Sequence, residues 1–334
     1  MNKDAKRILV TGCAGFIASK ITEQLISTGQ QVVGLDNMNL AYPVELKQWR
    51  LAKLEKLSGF TFVPSDVTDF NGLKEIFESY SLTSVVNLAA YAGVRPSVEN
   101  PWIYMETNLT GTLNLLELCK TFNVSKFLLA STSSLYGQNP TPFQESQTTD
   151  GPLSPYAASK KSAEALAYTY HYLHGIDVSI PRYFTVYGPA GRPDMAVFKF
   201  IHHIAEGLPI PVYGDGRQKR DFTYVDDIAA GSVSALKTDG FEVFNLGSDH
   251  PVELNYLISL IEKYLNKTAE IQFLTPHRAD APVTWAQIDK AKSLLNWEAK
   301  VSIEEGIKNS VEWYLENRNW IVEMQQEENQ SVKE

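Results

Sequence analysis

Long hydrophobic runs are absent from this chain of 334 residues. Its apolar stretches, such as residues 84–90, are far shorter than the roughly 20 residues that a membrane-spanning helix needs, so no transmembrane helix and no membrane partner are expected. The N-terminus leads into a strand-like segment at residues 8–10 without the apolar stretch and cleavage site of a signal peptide. A cytoplasmic location is therefore expected.

Cysteine and clustered basic residues are also scarce. Cys13 and Cys119 are the only cysteines, and neither has the spacing of a zinc site or a redox pair. Both are expected to be buried as small apolar side chains in a reducing compartment. The histidines show no metal-ligand spacing, so no metal site is predicted. A formal net charge of −9 without a basic stripe disfavours nucleic acid as a partner.

The chain does contain a regular alternation of short apolar runs with longer segments of helical period. In the first half the apolar runs lie at residues 7–11, 31–35, 60–63, 84–88 and 126–130. The main helical segments between them lie at 16–28, 71–80 and 107–122. This alternation is typical of an α/β fold with a Rossmann-type, doubly wound parallel sheet.

The length of the chain predicts two domains around one cleft, because it exceeds the usual size of a single core. Residues 1–176 are predicted to form the Rossmann domain, and residues 177–324 a smaller C-terminal α/β substrate-binding domain. Residues 225–247 are apolar enough to pack back on the first sheet, so the two domains are interleaved. The polar residues 325–334 are predicted to be a disordered tail.

A glycine-rich segment at residues 12–18 follows the first predicted strand and opens the first helix. Gly12 permits the tight turn, and Gly15 allows the backbone to approach a pyrophosphate. Phe16 and Ile17 begin the helix and belong to the same predicted site. The alternative is a helix start that merely uses glycine, and the flanking strand and helix argue against it.

Asp36 closes the second predicted strand about twenty residues after the fingerprint, where a carboxylate can accept hydrogen bonds from a ribose. Its charge would repel a 2′-phosphate, so NAD is favoured over NADP, although Lys47 or Arg50 could reverse this preference. Asp66 and Val67 follow the third strand and are placed to meet the adenine edge. A further contact is expected from Asn108, either with the phosphates or with the backbone around the nicotinamide.

Tyr156 and Lys160 project from one face of a predicted helix at 156–174, because they are four residues apart. An ammonium beside a phenol stabilises the phenolate, which makes Tyr156 a candidate general base. Such pairs are common by chance, but the hydroxyl residues at 132–134, at the end of the preceding strand, favour a catalytic role. With a dinucleotide, these groups can move a hydride on and off an alcohol carbon.

Taken together, these segments resemble the extended short-chain dehydrogenase/reductases, and most of all the nucleotide-sugar epimerases. The resemblance covers nearly the whole chain and includes residues 12–18, 36–37, 88–90, 131–137, 156–160, 182–184, 187–189 and 220–222. It implies that Thr132 is the hydroxyl partner of Tyr156 and that Lys160 also binds the nicotinamide ribose. It assigns the substrate's diphosphate to Arg220 and Arg278. It also adds four residues to the NAD site: Asn37, Leu88, Ala89 and Ala90.

Ser133 and Ser134 bear on the type of reaction. Related 4,6-dehydratases carry an Asp-Glu pair at these positions, and related uronate decarboxylases carry a glutamate at the second. The acidic side chains that transfer protons during elimination or decarboxylation are therefore missing here. Epimerisation does not need an acidic residue at these positions. The resemblance implies an NAD-dependent 4-epimerase of UDP-sugars that works through a transient 4-keto intermediate.

Two segments, residues 185–196 and 36–51, closely resemble the UDP-glucuronate 4-epimerases. Arg192 is predicted to bind the sugar carboxylate, because a guanidinium fork matches two oxygens in one plane. A surface arginine after a turn is the alternative. UDP-glucuronate is thus the favoured substrate and UDP-galacturonate the product, with a role in polysaccharide biosynthesis. Further substrate contacts are predicted for Arg95, Ser133, Ser134, Thr185 and Tyr213, the last as a stacking partner of uracil.

Other functions remain open at this point. A UDP-glucose 4-epimerase would leave the charge of Arg192 facing a neutral hydroxymethyl group. A dehydratase or decarboxylase, or a protein that senses NAD without chemistry, fits less well, because sensing proteins typically lose the tyrosine or lysine that this chain retains. Two features depart from the sequence pattern of the uronate epimerases. Glutamine is frequent there at the position of Tyr91, and residues 41–43 replace a Tyr-Tyr-Asp-like stretch. The helical segments at 107–122 and 156–174 carry enough apolar surface to form a homodimer through a four-helix bundle.

Overall fold

A computed structural model describes residues 6–275 and 281–331 of the chain. Its strands are β1 (Arg7–Thr11), β2 (Val32–Asp36), β3 (Phe60–Pro64), β4 (Leu82–Asn87), β5 (Lys126–Leu129), β6 (Ser131–Thr132), β7 (Asp177–Tyr183), β8 (Thr185–Tyr187), β9 (Ile210–Tyr213), β10 (Lys219–Tyr224), β11 (Phe241–Leu246), β12 (Pro251–Glu253) and β13 (Ile271–Leu274).

The α-helices of the described residues are α1 (Phe16–Ser27), α2 (Val44–Leu54), α3 (Phe70–Ser79), α4 (Val94–Glu99), α5 (Pro101–Tyr104), α6 (Gly111–Thr121), α7 (Pro155–His174), α8 (Ala196–Glu206), α9 (Val225–Ala235), α10 (Leu254–Leu265), α11 (Asp289–Leu295) and α12 (Ile303–Ser331). The predicted strands and helices of the first half are found within a few residues of their expected positions. The segment predicted as one helix at 107–122 differs, because a π-helical stretch, Met105–Thr110, precedes α6.

The large sheet is parallel throughout and runs in the order β11-β7-β5-β4-β1-β2-β3, with β6 beside β7. Alternate residues of its strands point to opposite faces. Val10 packs into a core with Ile21 of α1 and Ile228 of α9, whereas Leu9 packs into a core with Leu115 of α6. Helices therefore cover both faces, and the predicted doubly wound α/β fold is confirmed.

Strand order reverses between β1 and β4, because the chain proceeds outward from this pair in opposite directions. In open α/β sheets this reversal leaves a crevice at the carboxyl ends of the strands, where ligands bind. The fingerprint follows β1, and residues 88–90 follow β4. The fold thus brings two of the predicted cofactor segments to the same crevice.

The second half of the chain builds a smaller unit around a separate apolar core. It contains the sheet β12-β10-β8 and the parallel pair β13-β9. Helices α8, α10 and α12 supply most of its buried side chains, including Phe200, Leu257 and Val311. The boundary predicted at 176 differs from the structure, because β7, which begins at Asp177, belongs to the large sheet.

The C-terminal segment also differs from its prediction. Residues 325–331 continue α12, whereas a disordered tail was predicted for residues 325–334, of which 332–334 lie outside the described residues. Glutamate and glutamine are good helix formers, and Met324, just before this segment, is only 3% exposed. The helix is therefore anchored next to the segment that was read as a tail.

The two cysteines are fully buried, as predicted. Over the described ranges 6–275 and 281–331, no helix combines the length and hydropathy that a bilayer crossing requires. The same part of the chain gathers no group of three or more His, Cys, Asp or Glu side chains suited to a metal ion.

Candidate active site

A cavity of about 450 Å³, called here the larger cavity, lies at the carboxyl ends of β1 to β5. Tyr156, Lys160 and Arg192, which are far apart in the sequence, all line it. Most of the predicted cofactor residues line it as well: Gly12, Gly15, Phe16, Ile17, Asp36, Asn37, Val67, Leu88, Ala89 and Ala90. The structure thus places the fingerprint and the Tyr-Lys pair in the lining of the same cavity.

The fingerprint glycines are required by the geometry of the turn. Gly12 has φ +68°, and a Cβ at this position would lie 3.0 Å from backbone atoms of Ala89. A Cβ on Gly15 would lie 2.8 Å from the carbonyl oxygen of Gly12. No side chain of the described residues caps the first turn of α1. Its N–H groups can therefore bind a diphosphate that approaches the backbone closely.

Asp36 is 6% exposed at the end of β2, with its carboxylate at the cavity wall. It accepts hydrogen bonds from the backbone N–H groups of Ala14 (3.2 Å) and Met38 (2.8 Å). Lys47 lies 4.0 Å from Asp36, but its ammonium donates to the backbone and side-chain oxygens of Asn39 at 2.8 Å. A 2′-phosphate would meet the negative charge of Asp36, with Lys47 already engaged. This arrangement favours NAD over NADP.

Two predicted cofactor residues have their side chains engaged within the protein. Asp66 accepts hydrogen bonds from Asn37 (2.6 Å) and from the backbone and hydroxyl of Thr68 (2.8 Å each). Asn108 is 1% exposed, and its amide bonds the backbone of Tyr91 at 2.9 and 3.0 Å and the hydroxyl of Ser159 at 2.9 Å. Of the roles considered for Asn108, the structure supports bracing of the backbone beside the cavity rather than direct contact with the phosphates.

The phenol of Tyr156 belongs to the lining of the larger cavity. Burial raises the pKa of Tyr156, and this effect is opposed by the hydroxyl of Thr132 and the positive charge of Arg192. The sequence predicted that Lys160 stabilises the phenolate, and this role stays a prediction. The influences in the structure that lower the pKa of Tyr156 are those of Thr132 and Arg192.

Lys160 is 5% exposed and donates a hydrogen bond to the carbonyl oxygen of Ala130 at 3.0 Å. Burial lowers the pKa of Lys160 to about 8, against the carboxylate of Glu164, which acts to raise it. The ammonium is therefore held between the carbonyl at the end of β5 and the cavity. A lysine in this position can bind ribose hydroxyls.

A second cavity of about 320 Å³, called here the smaller cavity, adjoins the first. It contains five predicted substrate residues: Arg95, Thr185, Arg192, Tyr213 and Arg220. The two cavities share Phe16, Arg192 and Asp194. A ligand with two polar ends can therefore extend from the cofactor site past Arg192 into the second half of the protein.

Tyr213 carries the guanidinium of Arg95 over its ring, 3.6 Å from the centroid. Stacking of uracil on that face therefore requires Arg95 to move. Arg220 donates hydrogen bonds to the carbonyl oxygens of Lys219 (2.9 Å) and Pro282 (3.3 Å). Arg278, the second arginine assigned to the diphosphate, lies outside the described residues.

Ser133 and Ser134 begin a 3-10 turn after β6. The backbone N–H of Ser134 donates to the hydroxyl oxygen of Thr132 at 3.2 Å. The side-chain hydroxyl of Thr132 also donates to that of Ser134 at 3.2 Å. This turn holds the hydroxyl of Thr132 next to Tyr156. The hydroxyls of Thr132 and Ser134 thus form one short unit beside the phenol, whereas neither Ser133 nor Ser134 lines either cavity.

Arg192 makes a two-pronged ion pair with Asp194. Its Nε lies 3.0 Å from Oδ1 and its Nη2 lies 2.7 Å from Oδ2 of that carboxylate. Nη2 also donates to the carbonyl oxygen of Ala92 at 3.3 Å. The central carbon of the guanidinium, Cζ, lies 5.5 Å from the ring centroid of Tyr42. The predicted carboxylate ligand therefore already holds a carboxylate.

Two residues of the site were not anticipated. Tyr104 is 3% exposed, lines the larger cavity and lies 6.1 Å from Tyr156 between ring centroids. Nothing in the local sequence around Tyr104 signals this position. Asp194 could have been found, since it follows Arg192 by two residues in a turn-like segment, but the pairing depends on the shape of the loop.

The crevice at the strand reversal, the fingerprint and the Tyr-Lys pair define an extended short-chain dehydrogenase/reductase. The chain belongs to the family described as GDP-mannose 4,6 dehydratase, whose model matches residues 9–310. Within that family it is 56% identical, over 92% of this chain and 96% of the relative, to UDP-glucuronate 4-epimerase of Thermodesulfobacterium geofontis.

Solved structures give the same picture. The UDP-glucuronic acid 4-epimerase of Bacillus cereus, in complex with UDP-glucuronic acid and NAD, has a TM-score of 0.88 and 37% identity, and the match covers 93% of this chain and 99% of that one. The UDP-glucose 4-epimerase of Thermotoga maritima, with UDP-glucose, has a TM-score of 0.86 and 32% identity, with 94% and 100% covered. The resemblance inferred from the sequence is confirmed.

Proposed function

We propose that this protein is an NAD-dependent 4-epimerase that converts UDP-glucuronate to UDP-galacturonate. The observation that carries the proposal is the place of Arg192, at the junction of the two cavities and close enough to Tyr156 to affect its pKa. A carboxylate on the reacting sugar would meet this guanidinium while the sugar hydroxyl meets the phenol. The similarity to UDP-glucuronate 4-epimerases supports the same substrate.

NAD fits the residues of the larger cavity. The fingerprint turn would hold the diphosphate, Asp36 the adenosine ribose and Lys160 the nicotinamide ribose. When bound, NAD supplies a hydride acceptor that can return the hydride to the sugar. Because oxidation and reduction alternate on one substrate, the cofactor is regenerated in each turnover and is expected to stay tightly bound.

Tyr156 provides the proton transfer at the sugar. Its phenolate accepts the proton of the C4 hydroxyl as that carbon is oxidised, and the phenol returns the proton after the 4-keto sugar has presented its other face. Thr132 orients the reacting oxygen through its own hydroxyl. The serines at 133 and 134 supply no acid and base for elimination, which is why the dehydratase reaction of other family members is not proposed here.

Arg192 has a further task with a uronate. The 4-keto form of a uronate is a β-keto acid, which loses carbon dioxide when its carboxylate bond aligns with the carbonyl π system. A planar guanidinium that binds both carboxylate oxygens fixes the orientation of that group. Arg192 therefore protects the intermediate by holding the carboxylate out of alignment.

The test is to incubate purified protein with UDP-glucuronate, without added cofactor, and to identify the products. We expect UDP-galacturonate to form and UDP-glucose to be turned over at least about a hundredfold less efficiently, since a neutral sugar gains no charge-assisted bond from Arg192. Efficient turnover of UDP-glucose instead would identify a UDP-glucose 4-epimerase. Release of a 4-keto pentose as the main product would identify a decarboxylase.

We also propose that the protein is a homodimer. Large apolar side chains are exposed on α5, α6 and α7, and the most exposed of them are Trp102 (81%), Tyr172 (76%), Leu173 (61%) and Tyr168 (54%). Large apolar side chains exposed on neighbouring helices in this way are typical of a subunit interface. Since UDP-galacturonate is an activated sugar donor, we further propose a role in polysaccharide synthesis.

Sedimentation velocity tests the dimer. Tyr172→Glu is expected to shift the wild-type dimer towards monomer, because it places a charge in an apolar interface. Leu315→Glu is the matched control, since Leu315 is 50% exposed on α12, away from these helices. A monomeric wild type, or equal effects of both substitutions, contradicts the proposed interface.

A further inference from the structure

The guanidinium fork of Arg192 is filled by an internal carboxylate. One edge of the guanidinium that suits a planar two-oxygen ligand, Nε and one N–H of Nη2, bonds the two oxygens of Asp194 at 3.0 and 2.7 Å. The other edge pairs Nη1 with the second N–H of Nη2, but Nη2 also donates to the carbonyl oxygen of Ala92 at 3.3 Å. A uronate that binds two parallel N–H groups of Arg192 would therefore take the edge that Asp194 holds and must exchange with it.

Arg192 and Asp194 differ in how easily each charge can be solvated by water once the pair is separated. The side chain of Arg192 is 18% exposed, whereas that of Asp194 is 41% exposed. Asp194 can therefore return to water, while an unpaired Arg192 would remain largely buried. When the pair separates, the carboxylate of Asp194 moves into solvent, and the guanidinium of Arg192 stays at the junction of the cavities.

The surroundings of the pair fix the arginine rather than the acid. Arg192 also donates to the carbonyl of Ala92 and lies over Tyr42. The backbone just before it is anchored by Arg50, which is 3% exposed and donates to the carbonyl oxygens of Ala190 (3.1 and 2.7 Å) and Gly191 (3.4 Å). Exchange of the carboxylate therefore needs no movement of the loop base.

We propose that Asp194 is a stand-in carboxylate, which occupies Arg192 until the carboxylate of the substrate displaces it and so sets the affinity for the charged sugar. The proposal rests on the proposed function, because only a charged sugar can make the exchange. A neutral sugar leaves the Arg192–Asp194 pair intact and gains nothing from the guanidinium. Asp194 also lowers the affinity for the uronate, because the free energy needed to separate Arg192 from Asp194 reduces the free energy of binding.

The experiment compares Asp194→Asn with wild type, using UDP-glucuronate, UDP-glucose and UDP as ligands. The asparagine keeps the size of the side chain but is a weaker partner for the cation. We expect the KM for UDP-glucuronate to fall about three- to tenfold, and the Kd of UDP and the KM for UDP-glucose to change less than about twofold. UDP controls for the general loss of a negative charge near a diphosphate.

The matched control is Asp226→Asn. Asp226 is 48% exposed, pairs with Lys20 at 3.6 Å and lines neither cavity. It is expected to leave the constants for all three ligands unchanged. In an Arg192→Ala background, Asp194→Asn should no longer change the KM for UDP-glucuronate, because the contested donor is gone.

The outcomes separate the two proposals. A higher KM for UDP-glucuronate in Asp194→Asn would show that Asp194 positions Arg192 for the substrate, and a parallel fall for all three ligands would show a general charge effect. Either result overturns the exchange while leaving the epimerase function intact. A wild type that turns over UDP-glucose and ignores UDP-glucuronate overturns the proposed function, and the exchange fails with it.

Discussion

Tyr156→Phe is expected to lower kcat for UDP-glucuronate by about a thousandfold, because it removes the one phenol placed to exchange a proton with the reacting hydroxyl. The ring remains, so packing against Tyr104 is retained. Since burial raises the pKa of Tyr156, the phenolate fraction of the wild type grows with pH, and its kcat should rise across the neutral range. Initial rates and their pH profile measure both effects.

Tyr104→Phe is the matched control. This phenol lines the same cavity, with its ring centroid 6.1 Å from that of Tyr156, and its loss should cost less than about tenfold in kcat. NAD released from each denatured variant should equal that of the wild type, which shows that the cofactor site is intact. If Tyr156→Phe kept more than a tenth of the wild-type rate, the general base would have to be another group.

Glu164→Gln is expected to lower the free energy of unfolding by about 3–5 kcal/mol, because it leaves a buried guanidinium without its counter-charge. Glu164 accepts hydrogen bonds from Arg182 at 3.0 and 2.7 Å and from Ser131 at 2.6 Å. The side chains of Arg182 and Glu164 are only 5% and 7% exposed. Equilibrium unfolding in urea measures the loss.

The control for this prediction is Glu78→Gln on α3. Glu78 pairs with Lys74 at 2.8 Å, but both side chains are about half exposed, at 50% and 49%. The expected change is below about 1 kcal/mol, as for other exposed ion pairs. Equal losses in the two variants would mean that burial does not set the strength of the Glu164–Arg182 pair.

Much of the fold and cofactor site could be predicted because their signals are local. The apolar run at β2 and the glycines after β1 act through neighbouring residues, and each was placed within a residue or two. The boundary near residue 176 was misplaced for the opposite reason. Strand β7 belongs to the large sheet only because it pairs with β5 and β11, and such pairing leaves no mark in a short segment.

The substrate side of the site shows the same division. Arg192 was predicted to bind a carboxylate from its type and surroundings in the sequence. That Asp194 already fills its fork was not, although the two residues are only two positions apart. Arg95 and Tyr213 were each assigned to the substrate, and the structure adds that they cover one another.

The sequence by itself determined which chemical groups this protein has and the order of its strands and helices, since side-chain type and hydrophobic period are properties of short segments. Tertiary structure alone decided which of those groups meet. Arg50, which steadies the loop before Arg192, reaches across 140 positions to Ala190 and 36 positions to Ala14. Contacts over such separations form only when the packed core brings the segments together, so the pairing of charges in the site is a result of the whole fold.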